Sequence, residues 1–76
     1  MPHFSIKCYP KHLTGSEMKA FVDDLTRLAE KHLKATEEYV SVNYEEIPAE
    51  DWKERVFDKE IKPLHGRLAK EPGYEM

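Results

Sequence analysis

The residue at the second position of this sequence has the clearest potential for chemistry. Pro2 directly follows the initiator Met1, and its small side chain favours removal of that methionine. Removal would leave a free secondary amine, and an α-amino group has an ordinary pKa of about 8. Burial in an apolar cleft lowers such a pKa, so that the neutral amine becomes a general base near physiological pH. The alternative is a structural proline that begins a strand and shields the edge of a sheet.

Other kinds of reactive or ligand-binding site lack their sequence patterns. No two of the four histidines have the four-residue spacing of a helical metal-ligand pair. These histidines are His3, His12, His32 and His65. The single cysteine, Cys8, has no evident base beside it and is typical of a small buried hydrophobe. The three glycines are scattered, so that no glycine-rich phosphate loop is present. We therefore expect the reaction to require neither a metal nor a cofactor.

Two stretches of alternating apolar residues predict the strands that would position Pro2. The first runs from His3 to Tyr9, and Pro10 ends it because proline cannot donate a backbone hydrogen bond. The second runs from about Tyr39 to Glu45. In each stretch the side chains alternate between two faces, with apolar residues on one of them.

A long amphipathic helix is predicted between these strands. Thr14 and Glu17 have the spacing of a capping box, with Ser16 as the competing N-cap. One stripe then recurs at steps of three and four over about five turns. The stripe consists of Met18, Phe21, Val22, Leu25, Leu28, Ala29, His32 and Leu33. Strand, helix and strand in this order predict a right-handed βαβ unit with parallel strands, which is an α/β (α+β) fold.

A helical segment is also predicted near the carboxyl end of the chain. Pro48 fits the first turn of a helix, where its missing N–H costs nothing. The apolar side of this helix consists of Trp52, Val56 and Phe57. Pro63 should break or kink the helix near Lys62. A short second helical piece is expected to follow, with Leu64, Leu68 and Ala69 as its apolar residues.

Length and composition indicate a single domain over residues 1–76 and exclude several classes of protein. The chain has 12 basic and 15 acidic residues, which gives a net charge of −3. Such a chain lacks the basic surface that nucleic-acid binding requires. No apolar run approaches the ~18 residues of a membrane span, and no secretory signal is evident. One cysteine and no disulfide are typical of a cytoplasmic protein.

Two parallel strands and one covering helix cannot close a hydrophobic core. Isolated two-stranded sheets are marginal in water, and parallel strands are normally buried on both faces. Val40 and Val42 therefore need either the carboxyl-terminal helices or another subunit above them. A chain this short buries only about 60% of its unfolded surface. We expect a homo-oligomer, at least a dimer, that completes the sheet.

Several short motifs along the chain point to one family. They are Pro2-His3 and Ile6-Lys7-Cys8 in the first strand, Trp52, Glu60-Ile61 near Pro63, and Pro72-Gly73-Tyr74. Together with the βαβ order, they resemble the tautomerase superfamily, 4-oxalocrotonate tautomerase branch, and above all the bacterial phenylpyruvate tautomerase-like small proteins. The resemblance implies dimers that build a four-stranded sheet, and an amino-terminal proline, here Pro2, as the catalytic base.

The chain departs from the oxalocrotonate branch at the positions that bind a diacid. That branch uses two arginines, and the corresponding positions here hold Leu13 and Ser41. The aromatic residue that lines its pocket corresponds to Trp52, which could equally be a core residue. These matches favour a monoacid with an aromatic or apolar tail. Lys11, in the loop after the first strand, is the candidate for holding its carboxylate as a point charge, and the alternative is a solvated lysine.

The sequence therefore predicts a keto–enol tautomerase that acts on a 2-oxo acid such as phenylpyruvate enol. Pro2 is the predicted general base, and Lys11 and Trp52 are the predicted substrate-binding residues. Superfamily relatives use the same amine for hydration or dehalogenation, or form an iminium adduct with it, which is a second possibility. A third is a small homodimeric binding or regulatory module that kept the fold without efficient catalysis, since a fold does not by itself imply a function.

Overall fold

Two parallel strands joined by a long helix form the centre of the molecule. The computed structural model describes all 76 residues. Strand β1 spans His3–Cys8, helix α1 spans Gly15–Leu33 and strand β2 spans Ser41–Glu46. His3 lies opposite Ser41 at one end of the sheet, and Cys8 lies opposite Glu46 at the other. The predicted βαβ unit and its parallel strands are confirmed.

Both strands differ from the predicted ranges at their ends. Strand β1 ends at Cys8 rather than Tyr9, because the chain turns away before Pro10. Strand β2 begins at Ser41 because a 3₁₀ turn, Glu37–Tyr39, occupies the residues before it. The pairing continues past β2, since the Ile47 N–H donates to the Cys8 carbonyl at 2.8 Å. Alternation locates a strand but does not fix its last residue.

The predicted capping box is present at the start of α1. The Thr14 hydroxyl accepts a hydrogen bond from the Glu17 N–H at 3.1 Å, and the Glu17 carboxylate accepts one from the Thr14 N–H at 2.9 Å. Ser16 therefore lies within the first turn and is not the N-cap. The helix ends at Lys34, which has a left-handed backbone, and its N–H donates to the Ala29 carbonyl.

The face of α1 that packs on the sheet is only part of the predicted stripe. Ala29 and Thr26 are buried on α1. Thr26 is tolerated there because its hydroxyl donates to the Val22 carbonyl at 2.8 Å. Phe21 meets Tyr44 of β2 edge to face, with 6.2 Å between ring centroids. These contacts attach the helix to β2.

Three residues of the stripe face solvent in this chain. Leu28 exposes 50% and Leu33 exposes 61% of its surface, and His32 is also exposed. The prediction that these three residues share the buried side is wrong for the single chain. The apolar stripe of α1 is wider than the two-stranded sheet beneath it. Some residues of the stripe therefore have no sheet residue to pack against.

A π-helix, Lys53–Ile61, forms the predicted carboxyl-terminal helical segment after a 3₁₀ turn at Ala49–Asp51. A π-helix bonds residues five apart, so that side chains four and five residues apart share a face. Val56 and Phe57 are both buried. Lys53 and Asp58, five residues apart, form an ion pair at 3.1 Å. The apolar pattern predicted a helix but not its type.

The helical segment breaks near Lys62, as predicted, but no second helix follows it. Pro63 lies in a 3₁₀ turn, Lys62–Leu64, that closes the segment. The expected second helical piece containing Leu68 and Ala69 is absent, and that stretch consists of turns and bends. Gly66 has a φ of 84° in this stretch, a left-handed conformation that interrupts any helix. No helix in the structure is both long enough and apolar enough to cross a lipid bilayer.

The chain is flat and exposes more surface than a compact monomer of its mass. Its extents are 37 × 30 × 18 Å, and its radius of gyration of 14.2 Å exceeds the about 11 Å expected for this length. Its accessible surface of 6014 Å² is about 1,150 Å² larger than the average for a folded 9.0 kDa monomer. Few apolar residues are buried, namely Ala29, Ile47, Val56 and Phe57.

Candidate functional site

The predicted site residues lie at opposite ends of the sheet. Pro2 precedes β1, and its carbonyl accepts a hydrogen bond from the Ser41 N–H at 3.2 Å. Tyr9 directly follows β1 and contacts Trp52. Because an extended strand rises about 3.3 Å per residue, Pro2 and Tyr9 are about 23 Å apart. The structure therefore does not bring Pro2 and Trp52 together within one chain.

Pro2 is held in place by the sheet although its neighbours are exposed. Pro2 is half-buried, whereas Met1 exposes 99% of its surface. His3 Nδ1 lies 2.7 Å from Ser41 Oγ, which adds a side-chain hydrogen bond to the backbone pairing at this end. Ser41 therefore serves the pairing of the two strands and supplies no cation near Pro2.

An apolar cavity of about 370 Å³ lies at the opposite end of β1. Its lining residues are Lys7, Cys8, Tyr9, Trp52, Tyr74 and Met76. The Tyr9 and Trp52 rings meet edge to face, with 5.2 Å between centroids and 87° between planes. Trp52 Nε1–H donates to the Tyr74 hydroxyl at 2.9 Å. Trp52 is half-buried and lines the cavity, and its two aromatic partners fix the orientation of its ring.

The lysine that lines this cavity is already paired. Lys7 Nζ forms an ion pair with Glu60 Oε2 at 2.9 Å, and 26% of its side chain is exposed. Glu60 belongs to the π-helix, so that this pair joins the π-helix to β1. The charge of Lys7 is therefore neutralised by a protein carboxylate.

Lys11 lies in the exposed loop between β1 and α1, two residues beyond Tyr9. Its backbone N–H donates to Glu46 Oε2 at 3.1 Å. Its ammonium forms no ion pair with any carboxylate of the chain. Leu13, in the same loop, is 37% exposed and supplies no charge. Lys11 thus carries a free positive charge at the same end of the sheet as the cavity.

The structure also contains a chain of hydrogen bonds that the sequence interpretation missed. Cys8 Sγ donates to the Tyr44 hydroxyl at 3.3 Å, and that hydroxyl donates to Glu46 Oε2 at 2.9 Å. The hydrogen bonds from the Lys11 amide and then from Tyr44 lower the pKa of Glu46. The bond with Cys8, burial and the bond with Glu46 raise the pKa of Tyr44. The two-residue spacing of Tyr44 and Glu46 within a strand was the available signal, since it places both on one face.

Groups that could bind a metal ion are not gathered anywhere in the structure. No three histidine, cysteine, aspartate or glutamate side chains lie close enough together to hold one. His3 and His65, for example, each have a single polar side-chain partner, Ser41 and Glu71 respectively.

Comparison with known proteins gives the family. No protein-family model matches the chain. Tautomerase PptA of Cronobacter sakazakii is 43% identical over 76 residues, which covers 100% of both chains. Tautomerase PptA of Klebsiella pneumoniae is 40% identical and that of Escherichia coli is 36% identical, again over 76 residues and 100% of both chains. The chain belongs to the PptA tautomerase family. It is a tautomerase, an enzyme of the isomerase class, and the predicted resemblance is confirmed.

A tautomerase must move a proton within its substrate, which requires a group that transfers the proton and a pocket that orients the substrate. In this chain the apolar cavity and the free ammonium of Lys11 lie at one end of the sheet, whereas Pro2 lies at the other.

Proposed function

We propose that this PptA tautomerase interconverts the keto and enol forms of a 2-oxo acid with an aromatic or apolar tail, such as phenylpyruvate enol. The cavity beside Trp52 is the main observation that supports this class of substrate. Its volume of about 370 Å³ and its aromatic wall suit a planar ring. The Lys11 ammonium suits one carboxylate, and the absence of cations at Leu13 and Ser41 argues against a diacid.

In this proposal Pro2 is the general base. Removal of Met1 converts the Pro2 nitrogen from an amide into a secondary amine, and the exposure of Met1 leaves that peptide bond accessible. The neutral amine takes the proton of the enol hydroxyl and returns a proton to C3 of the substrate, which gives the 2-oxo acid and restores the neutral amine. Lys11 holds the carboxylate, and Trp52 packs against the tail. The proton transfer itself requires no cofactor.

The separation of about 23 Å between Pro2 and Tyr9 is too large for one chain to supply the whole site. We propose that Pro2 of one chain acts on a substrate held in the cavity of a second chain. The about 1,150 Å² of surplus surface on each chain supports this arrangement, because a standard protein–protein interface buries about 800 Å² per partner. A homodimer is the smallest assembly that meets the requirement.

The amino-acid composition supports a proposal for the binding partners and the cellular compartment of the enzyme. We propose that the enzyme works in the cytoplasm and binds its substrate and its own subunits, but neither nucleic acid nor membrane. The support is the net charge of −3, the single unpaired Cys8, and the absence of a helix that could cross a bilayer.

A spectrophotometric assay of phenylpyruvate enol ketonisation tests the proposal. The protein must first be shown by intact mass to have lost Met1, and the Pro2→Ala variant is assayed beside it. A loss of about 100-fold or more in rate is expected, which is the contribution typical of a general base. An unchanged rate in a correctly folded Pro2→Ala variant would exclude the amine as the base. A wild-type rate no higher than that of buffer would exclude aromatic 2-oxo acids.

A further inference from the structure

One carboxylate attaches the loop between β1 and α1 to the sheet. Glu46 is the last residue of β2, and its Oε2 atom accepts two hydrogen bonds. One comes from the Lys11 backbone N–H at 3.1 Å, and the other comes from the Tyr44 hydroxyl at 2.9 Å. Tyr44 in turn accepts a bond from Cys8 Sγ at 3.3 Å. A continuous path of hydrogen bonds therefore runs from β1 through β2 to the loop.

The loop is held in a conformation that needs support. His12 has a φ of 56°, in the left-handed region that side chains other than glycine rarely adopt. Such a conformation persists where the surrounding structure fixes it. The bond from Lys11 to Glu46 is the one hydrogen bond that any of Lys11, His12 and Leu13 makes with the rest of the chain. Glu46 is therefore the main restraint on this stretch.

The same contact leaves the Lys11 side chain available. Glu46 uses its carboxylate for the Lys11 backbone, and the Lys11 ammonium forms no ion pair. A surface ion pair between the Lys11 and Glu46 side chains would instead have neutralised the Lys11 ammonium. Tyr9, which precedes the same loop, packs against Trp52 at 5.2 Å between ring centroids. The position of the loop therefore determines where the Lys11 ammonium lies relative to the aromatic wall formed by Tyr9 and Trp52.

We propose that Glu46 is a positioning residue for substrate binding, which holds the Lys11 backbone so that the Lys11 ammonium stays beside the aromatic cavity, and that Tyr44 orients Glu46. This inference rests on the proposed role of Lys11 in holding the substrate carboxylate. Glu46 itself touches no substrate atom in this arrangement. It acts through the loop, so that its loss should weaken binding of the carboxylate and leave the proton transfer at Pro2 intact.

The kinetic test compares two substitutions at Glu46. Glu46→Ala removes the acceptor, and we expect KM for phenylpyruvate enol to rise about tenfold while kcat stays within about twofold. Glu46→Gln keeps an oxygen that can accept both bonds, and its KM should stay within about threefold of the wild-type value. Glu45→Ala is the matched control, because Glu45 lies on the opposite face of the same strand and pairs with Arg55 at 3.0 Å. Its KM should be unchanged.

A double-variant comparison separates positioning from general stabilisation. Lys11→Met alone should raise KM. If Glu46 acts through Lys11, the double variant Lys11→Met/Glu46→Ala should have a KM less than about twofold above that of Lys11→Met. Independent, multiplying effects of the two substitutions would overturn the proposal, because Glu46 would then not act through Lys11. Circular dichroism confirms that each variant is folded.

Amide hydrogen exchange tests the contact without any assay of activity. The Lys11 amide should exchange about tenfold faster in Glu46→Ala than in wild type, and the Thr14 amide, which bonds to Glu17 at 2.9 Å, should not change. Unchanged exchange at Lys11 would show that Glu46 does not hold the loop and would overturn the inference. Faster exchange with an unchanged KM would overturn its role in binding. A wild-type protein without turnover would refute the proposed function instead, and the exchange result would still decide the contact.

Discussion

A mixture of two impaired variants should regain part of the wild-type activity if each active site is built from residues of two chains. Pro2→Ala removes the proposed base, which should cost about 100-fold or more in rate. Trp52→Ala removes the ring that contacts Tyr9 at 5.2 Å and donates to Tyr74 at 2.9 Å. Loss of that wall should cost about tenfold or more in kcat/KM, which corresponds to about 1.4 kcal/mol of binding to an aromatic tail. At low substrate concentration Pro2→Ala should therefore retain about a hundredth, and Trp52→Ala about a tenth, of the wild-type activity.

The expected recovery follows from random assortment of the subunits. In an equal mixture, half of the sites receive an intact Pro2, and half of those receive an intact Trp52 from the other chain. About a quarter of the wild-type activity should therefore return. The proposed interface would draw on the surplus of about 1,150 Å² per chain, which exceeds the about 800 Å² per partner of a standard interface, so that the subunits are separated in denaturant and refolded together before the assay.

The control is a mixture of either single variant with the double variant Pro2→Ala/Trp52→Ala, which contains no intact pair and should stay inactive. Refolded wild-type protein gives the reference rate. A mixture that stays at the mean of the two parent activities, while sedimentation shows mixed oligomers, would refute the shared site. Wild-type protein that sediments as a 9.0 kDa monomer with full activity would refute it as well.

Three further predictions follow from the fold and the proposed chemistry. The kcat/KM of the wild-type enzyme should rise with pH and level off above the pKa of the Pro2 amine, and a flat profile between pH 5 and pH 9 would contradict an amine base. The bond from the Thr14 amide lowers the pKa of Glu17, so that the stabilisation is present above the ordinary carboxyl pKa and is lost as pH falls through the lowered one. The free energy of unfolding should accordingly fall more steeply in acid for wild type than for Glu17→Gln, as measured by urea denaturation across pH. Ile47→Ala should lower the free energy of unfolding by about 2–5 kcal/mol, because Ile47 is 1% exposed. Leu33→Ala, at a position 61% exposed, should cost less than about 0.5 kcal/mol at the same protein concentration, unless the subunit interface covers it.

Local chemistry in the sequence was enough to predict the elements. Thr14 and Glu17 have the spacing that a capping box needs, and the structure contains both of its hydrogen bonds. Alternation in residues 3–9 and 39–45 located both strands, although not their exact ends, because period-two burial is a property of each strand by itself. The order of these elements then allowed the parallel βαβ unit and no simpler connection.

The candidate site was less predictable because its parts come from distant segments. Trp52 meets Tyr9 and Tyr74 only because the segment after β2 and the carboxyl-terminal residues both lie against the end of β1. The width of the buried stripe on α1 was overestimated for a related reason. Whether Leu28 and Leu33 are covered depends on what lies beneath the helix, which the helix sequence does not encode.

The sequence by itself therefore determined the strands, the capped helix, the family resemblance and the proline at the second position, since each depends on residue type and short-range spacing. Only the tertiary structure decided that the aromatic cavity lies at the end of β1 away from Pro2 and that Glu46 holds the backbone of Lys11. Both facts depend on contacts between segments that lie far apart in the chain. Distances between such segments are set by the packing of the whole chain, so a local sequence pattern does not predict them.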